Sequence, residues 1–138
     1  MLRNALAVLA GVVVGSALNM GLIQLNMQVF FPAPAGMDMN DPAQFNAFIA
    51  SLPAQAFLLV LLAHLGQSFV GGWIAARLGA SRPMLLAMIV GGLSLAGGIV
   101  AMFMIDGPVW LMIELPLYLV VAWLAGRLEQ KRRAAQTN

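Results

Sequence analysis

Residues 54–83 read AQAFLLVLLAHLGQSFVGGWIAARLGASRP. No Asp, Glu, Lys or Arg interrupts them before Arg77, and Arg82 follows across a turn punctuated by Gly79 and Pro83. An uncharged helix of about 20 residues matches the ~30 Å hydrocarbon core of a bilayer. The stretch therefore predicts a span over about 54–78 that ends in a basic turn. Three further stretches share its character, over about 5–30, 84–105 and 109–128. Arg3 precedes the first, and Arg127, Lys131, Arg132 and Arg133 follow the fourth. The connections 32–53 and 106–108 carry no Lys or Arg. Basic loops stay cytoplasmic during insertion. Sequence and charge together predict an all-α, four-helix transmembrane bundle with both termini in the cytoplasm.

Composition closes off alternatives. With 138 residues, 62% hydrophobic and 9% charged, nothing is left over for a separate soluble domain, so residues 1–138 form one integral membrane domain. The pI near 10 is explained by juxtamembrane bases that set topology and attract anionic headgroups, with no nucleic acid implied. The absence of cysteine removes disulfides, thiolate catalysis and cysteine-ligated metals. Met1-Leu2-Arg3 resembles a signal start, but hydrophobicity runs on to Phe31, longer than a signal core, and predicts an uncleaved anchor helix.

Glycines mark the expected contacts between helices. Gly11, Gly15 and Asn19 fall at four-residue spacing on one face of the first span, and the third carries Gly91, Gly92, Gly97 and Gly98. In lipid, small residues on a face let backbones approach closely. Gly11, Gly15, Gly72, Gly91, Gly98 and Gly126 are the predicted packing positions. In the loop 32–53, Asp41-Pro42-Ala43-Gln44 reads as a helix start with cap, first-turn proline and capping-box partner. Phe45, Phe48, Ile49 and Leu52 then form one apolar stripe. A short helix follows, lying flat at the outer interface or capping the bundle. Pro116 predicts a kink in the fourth span, and the polar tail from residue 129 is expected to fray.

An internal match sets helices against each other. Trp73-Ile74-Ala75-Ala76-Arg77-Leu78 parallels Trp123-Leu124-Ala125-Gly126-Arg127-Leu128 at an offset of fifty. Two readings stand: a tandem repeat of helical hairpins about an axis along the membrane normal, or two inward ends that each need an interfacial Trp and a retained Arg. The same register pairs His64 with Glu114 and Ser68 with Tyr118. His64 and Glu114 each lie nine positions before their Trp, about 13 Å of helix and so near mid-bilayer. An ionised carboxylate there costs on the order of 3 kcal/mol or more, so such a residue should face the bundle interior or water. We expect His64, Glu114, Tyr118, Asn19, Gln67 and Ser68 to converge as an intramembrane polar cluster. It serves either as a hydrogen-bonded clasp or as a proton-linked or ligand-binding site.

Other chemistry is thinner. Met37-Asp38-Met39-Asn40-Asp41 offers thioethers and carboxylates, but a capped turn accounts for it, and no metal or cofactor is expected. No catalytic triad order, phosphate loop, dinucleotide fingerprint or zinc-protease motif is present. The pattern Phe31-Pro32-Ala33-Pro34-Ala35-Gly36-Met37-Asp38, then Asp41-Pro42 and Leu52-Pro53, together with Gly71-Gly72 and Gly97-Gly98, resembles a family of small uncharacterised bacterial four-helix inner-membrane proteins. That resemblance implies a bacterial inner membrane and carries no catalytic residues. The first functional expectation is a non-enzymatic interaction or assembly module, forming a homo-oligomer or joining a larger membrane complex through Gly-rich faces. The second is a small transporter or channel using His64 and Glu114. The third is an enzyme acting on a lipid-soluble substrate.

Overall fold

The computed structural model describes residues 1–136. It has four long apolar helices and one short one, with no strand among the described residues. The chain is a multi-pass membrane protein. Helix α1 (Leu2–Leu25) starts earlier than its hydropathy suggests and closes in a π turn, Asn26–Phe30, where Phe31 N–H bonds to Asn26 O at 2.8 Å. Pro32 then prevents further helix. Helix α2 is Pro42–Ser51 and α3 is Ala54–Leu78. Helix α4 (Pro83–Met104) begins with proline at its first position, directly after Arg82 at φ 52°, the one left-handed non-glycine residue described.

The fourth span differs from expectation in two ways. Val109–Ile113 is a 3-10 turn and α-helix α5 runs Glu114–Ala135. Pro116 therefore lies in the first turn of α5, just after the change from 3-10 to α geometry, where its missing N–H costs no α-helical hydrogen bond. The expected fraying over 129–138 is not seen up to Ala135, where the chain is helical with Arg132 and Arg133 bonded back to Glu129; residues 137 and 138 lie outside the described residues.

Helix α3 is the keel. Helix α1 packs along one side of it, while α4 and α5 pack on the other and on each other. The α1–α3 seam is backbone against backbone. A Cβ on Gly71 would sit 2.6 Å from Gly11 O, and one on Gly15 would sit 2.6 Å from Gln67 O. Only glycine permits this approach, and in lipid close packing is the main attraction helices have. Ala56, Ala63, Ala75, Ala76, Ala87, Ala122 and Ala125 are fully covered, while Leu6, Leu9, Leu58, Leu62 and Leu93 point outward. A two-fold repeat would match the α3–α4 seam with an α1–α5 seam. No comparable α1–α5 packing exists, so the likeness of the two hairpins stops short of bundle symmetry.

Helix α2 is capped as its sequence predicts. Asp41 Oδ1 accepts from Ala43 N at 2.9 Å and Gln44 N at 3.4 Å. Gln44 does not complete a capping box. Its Nε2 donates to Asp41 Oδ2 at 2.8 Å and its Oε1 accepts from Asp38 N at 3.2 Å. The apolar stripe is covered rather than open: Phe48 is buried, and Phe45, Ile49 and Leu52 are half-buried. Asn46 Oδ1 accepts from Asp106 N at 3.2 Å, tying α2 to the turn after α4.

Candidate functional site

The α3 stripe His64, Ser68, Gly72 meets the α5 stripe Glu114, Tyr118, Ala122. Gly72 lies at ordinary contact distance from α5, where an added Cβ would stand 3.6 Å from Ala125 Cβ. His64 Nδ1 lies 2.8 Å from Glu114 Oε2. Tyr118, one turn along α5, donates its hydroxyl to Glu114 Oε1 at 3.3 Å. Its ring stacks on His64 at 6.3 Å between centroids. Ser68 Oγ donates to Tyr118 O at 2.8 Å. Gly98 of α4 closes the back, because a Cβ there would fall 2.8 Å from Tyr118 Cε2.

Burial is uneven. Glu114 and Tyr118 are each 3% exposed and Ser68 is fully covered, whereas the His64 side chain keeps 20% exposure. Both carboxylate oxygens of Glu114 have partners. Its place as the first residue of α5 adds the favourable end of the helix dipole. Nδ1 and Oε2 can share a proton in either direction, as an ion pair or as a neutral pair. Removing one partner leaves a buried polar group alone in hydrocarbon, which is the costly state.

The predicted cluster of six divides. His64, Ser68, Glu114 and Tyr118 assemble at the α3–α5 seam. Asn19 and Gln67 bond to each other at the α1–α3 seam, Nδ2 to Oε1, and no recorded bond joins the two groups. The six predicted packing glycines all face neighbours within the chain: Gly11 meets Gly71, Gly15 meets Gln67, Gly72 meets Ala87 and Ala125, Gly91 meets Ala122, Gly98 meets Tyr118 and Gly126 meets Met84. Among the described residues no three His, Cys, Asp or Glu gather as a metal site. Asp38 is occupied by Asn40 N at 2.9 Å, and Asp41 caps α2.

A second polar centre lies at the basic end, beyond the apolar part of α5. Glu129 is fully covered. Arg132 reaches it through Nε to Oε2 at 2.7 Å and Nη2 to Oε1 at 2.6 Å. Arg133 Nε donates to Oε1 at 2.9 Å, and Arg77 Nη1 stands 3.9 Å from Oε2. The bonds from Arg132, helped by Arg133 and both charges, hold the Glu129 carboxyl down at about 2, against the opposing effect of burial. Arg133 Nη2 also donates to Ala76 O at 2.6 Å and Gly79 O at 2.8 Å, and Arg3 Nε donates to Leu78 O at 2.9 Å. Two arginines thus satisfy carbonyls that the end of α3 leaves open. Asn4 joins them, its Oδ1 accepting from Ala80 N at 2.8 Å and its Nδ2 donating to Ser81 Oγ at 3.1 Å. The spacing of Glu129 to Arg132 and Arg133 carried the signal for this centre. The reach to α3 had none.

Compared with known protein families, with curated proteins and with solved structures, the chain matches none.

Proposed function

We propose that this chain is a non-enzymatic assembly module of a bacterial inner membrane, with both termini cytoplasmic, binding a second copy or a larger membrane complex through the broad outward side of α4. One observation carries the reading. Gly92 and Gly97 have nothing within 4 Å of an added Cβ, while Gly91 and Gly98 beside them are closed against α5. An outward glycine weakens a helix and gains nothing from lipid tails. Its use is to let another backbone approach. The two glycines lie about 140° apart around the helix, and Ile89, Leu93 and Val100, 40%, 52% and 57% exposed, occupy the arc between them. On this reading the His64–Glu114–Tyr118 group is a clasp that holds α5 on α3 and keeps the α4 face in shape. The confinement of Lys and Arg to one end supports the orientation.

The natural chain has no cysteine, so Leu93→Cys introduces a single cross-linking point. We expect a cross-linked product at twice the 14.6 kDa chain mass, or a heavier adduct with a co-purifying protein, and its loss in Gly92→Leu/Gly97→Leu. A product unaffected by the glycine substitutions refutes the face. A monomer alone, in native lipid, refutes the function.

A second reading rests on the exposure difference within the clasp. His64 links a partly open edge to a covered carboxylate, and its Nε2 carries no recorded bond. That arrangement suits proton relay in a small transporter. Proteoliposomes with a trapped pH dye distinguish the two: flux abolished by His64→Ala in an intact bundle supports relay, and no flux in wild type supports the clasp.

A further inference from the structure

The basic end holds a crevice that the clasp and the α4 face leave unused. It is a trough of about 420 Å³ on the α1–α3 seam, floored by Leu6, Ala7, Ala10 and Leu78, with Arg3 at its mouth. The floor is apolar and runs from Arg3 to Ala10, roughly 10 Å along α1. Arg3 is exposed, and its orientation is set by the bond from Nε to Leu78 O at 2.9 Å. Its two terminal nitrogens bond to none of the described residues, which leaves the guanidinium fork to other partners. The single acidic residue at this end, Glu129, is taken by Arg132 and Arg133. Among the described residues Arg3 therefore has no acidic partner. A cation at headgroup depth above an apolar trough has the shape of an anionic lipid seen in negative. The fork matches phosphate oxygens, and the trough receives the first part of an acyl chain.

We propose that the Arg3 trough is a binding site for one phospholipid of net negative charge, its phosphate on the Arg3 guanidinium and one chain along Leu6, Ala10 and Leu78. The site is distinct from the general pull of basic loops on anionic membranes because it requires two features together, the positioned fork and the open floor. Arg77 and Arg127 differ: each guanidinium lies over its own Trp ring, at 5.7 Å from Trp73 and 5.0 Å from Trp123.

The test is native mass spectrometry of the full chain in a mild detergent, with phosphatidylglycerol and phosphatidylcholine offered in equal amounts. Wild type should retain one phosphatidylglycerol in preference. Arg3→Gln should lower that preference about fivefold, the effect of one surface cation on an anionic lipid. Ala10→Phe fills the floor, leaves every charge in place, and should lower retention about threefold. Arg3→Lys keeps the charge without the fork and should fall between wild type and Arg3→Gln. Circular dichroism and elution volume establish that each variant is folded. Inorganic phosphate and short-chain dihexanoyl phosphatidylglycerol, each offered at tenfold excess, should fail to displace the long-chain lipid. Equal retention of the two lipids overturns the proposal. So does displacement by inorganic phosphate, which would make the site one for free phosphate, and so does an Ala10→Phe variant that binds like wild type, which would leave only surface charge.

Discussion

Replacing Glu129 with Gln removes one negative charge from beneath three arginines. The carboxyl is held at about 2 against an ordinary 4.5, a shift that corresponds to roughly 3 kcal/mol at neutral pH if nothing screened it. Screening is substantial, because the side chains of Arg132, Arg133 and Arg77 are 34%, 29% and 44% exposed. We discount the figure to about 1–2 kcal/mol. The consequences reach α3, since Arg133 also holds Ala76 O and Gly79 O and loses its anchor. The assay is unfolding by SDS titration in mixed micelles, with amide exchange followed over residues 129–135. Glu129→Gln should unfold at lower SDS, and its last helical turns should exchange faster. The pH dependence has a defined sign. A carboxyl whose folded value is depressed stabilises fully above about 4.5 and loses that contribution as pH falls from there toward 2. Wild type should therefore weaken across that window and Glu129→Gln should show no such loss from this position. Equal stability at pH 7 together with parallel acid profiles would refute the argument.

Three other outcomes are expected. Gly15→Leu forces side-chain atoms onto the Gln67 backbone and should cost at least about 2 kcal/mol in the same titration, whereas Gly92→Leu should leave the monomer within about 0.5 kcal/mol of wild type. A double-mutant cycle of His64→Ala and Glu114→Ala should return a coupling of about 0.6–2 kcal/mol, and no coupling would mean that the 2.8 Å contact does not hold the bundle. Asp41→Ala should speed amide exchange at Ala43 and Gln44. In wild type the bond from Gln44 and the two backbone N–H groups lower the Asp41 carboxyl, so its cap should be lost at a lower pH than an unpaired aspartate would protonate.

Much of the fold is legible in the chain because hydrocarbon imposes length and apolarity over whole spans. The register of fifty was legible too: Trp73 and Trp123 fix depth, and residues at equal depth on adjacent parallel helices meet, as His64 and Glu114 do. The direction each stripe faces was not. Gln67, Gly71 and Ala75 lie one residue before Ser68, Gly72 and Ala76, a rotation of about 100° on α3. That rotation turns the first set to α1 and the second to α5, so Asn19 found Gln67 and not His64. The π turn of α1 answers to tertiary fit at the loop end, where Asn26 Nδ2 donates to Ala56 O at 3.0 Å, and no local pattern encodes it. The 3-10 turn before α5 buries none of its residues, so packing gives no account of it. The glycines divide by environment in a way composition hides, since Gly91 and Gly92 are neighbours with opposite surroundings.

The lack, among the described residues, of α1–α5 packing to match the α3–α4 seam gives assembly a direction. Everything α1 needs is supplied by α3 and a strip of α4, and its tightest fit, Gly11 to Gly71, lies inside the first hairpin. That hairpin can leave the insertion machinery already zipped. The second pair must then find α3 with its flank exposed, and the polar contacts of Ser68 and His64 are the marks by which it docks at the correct height.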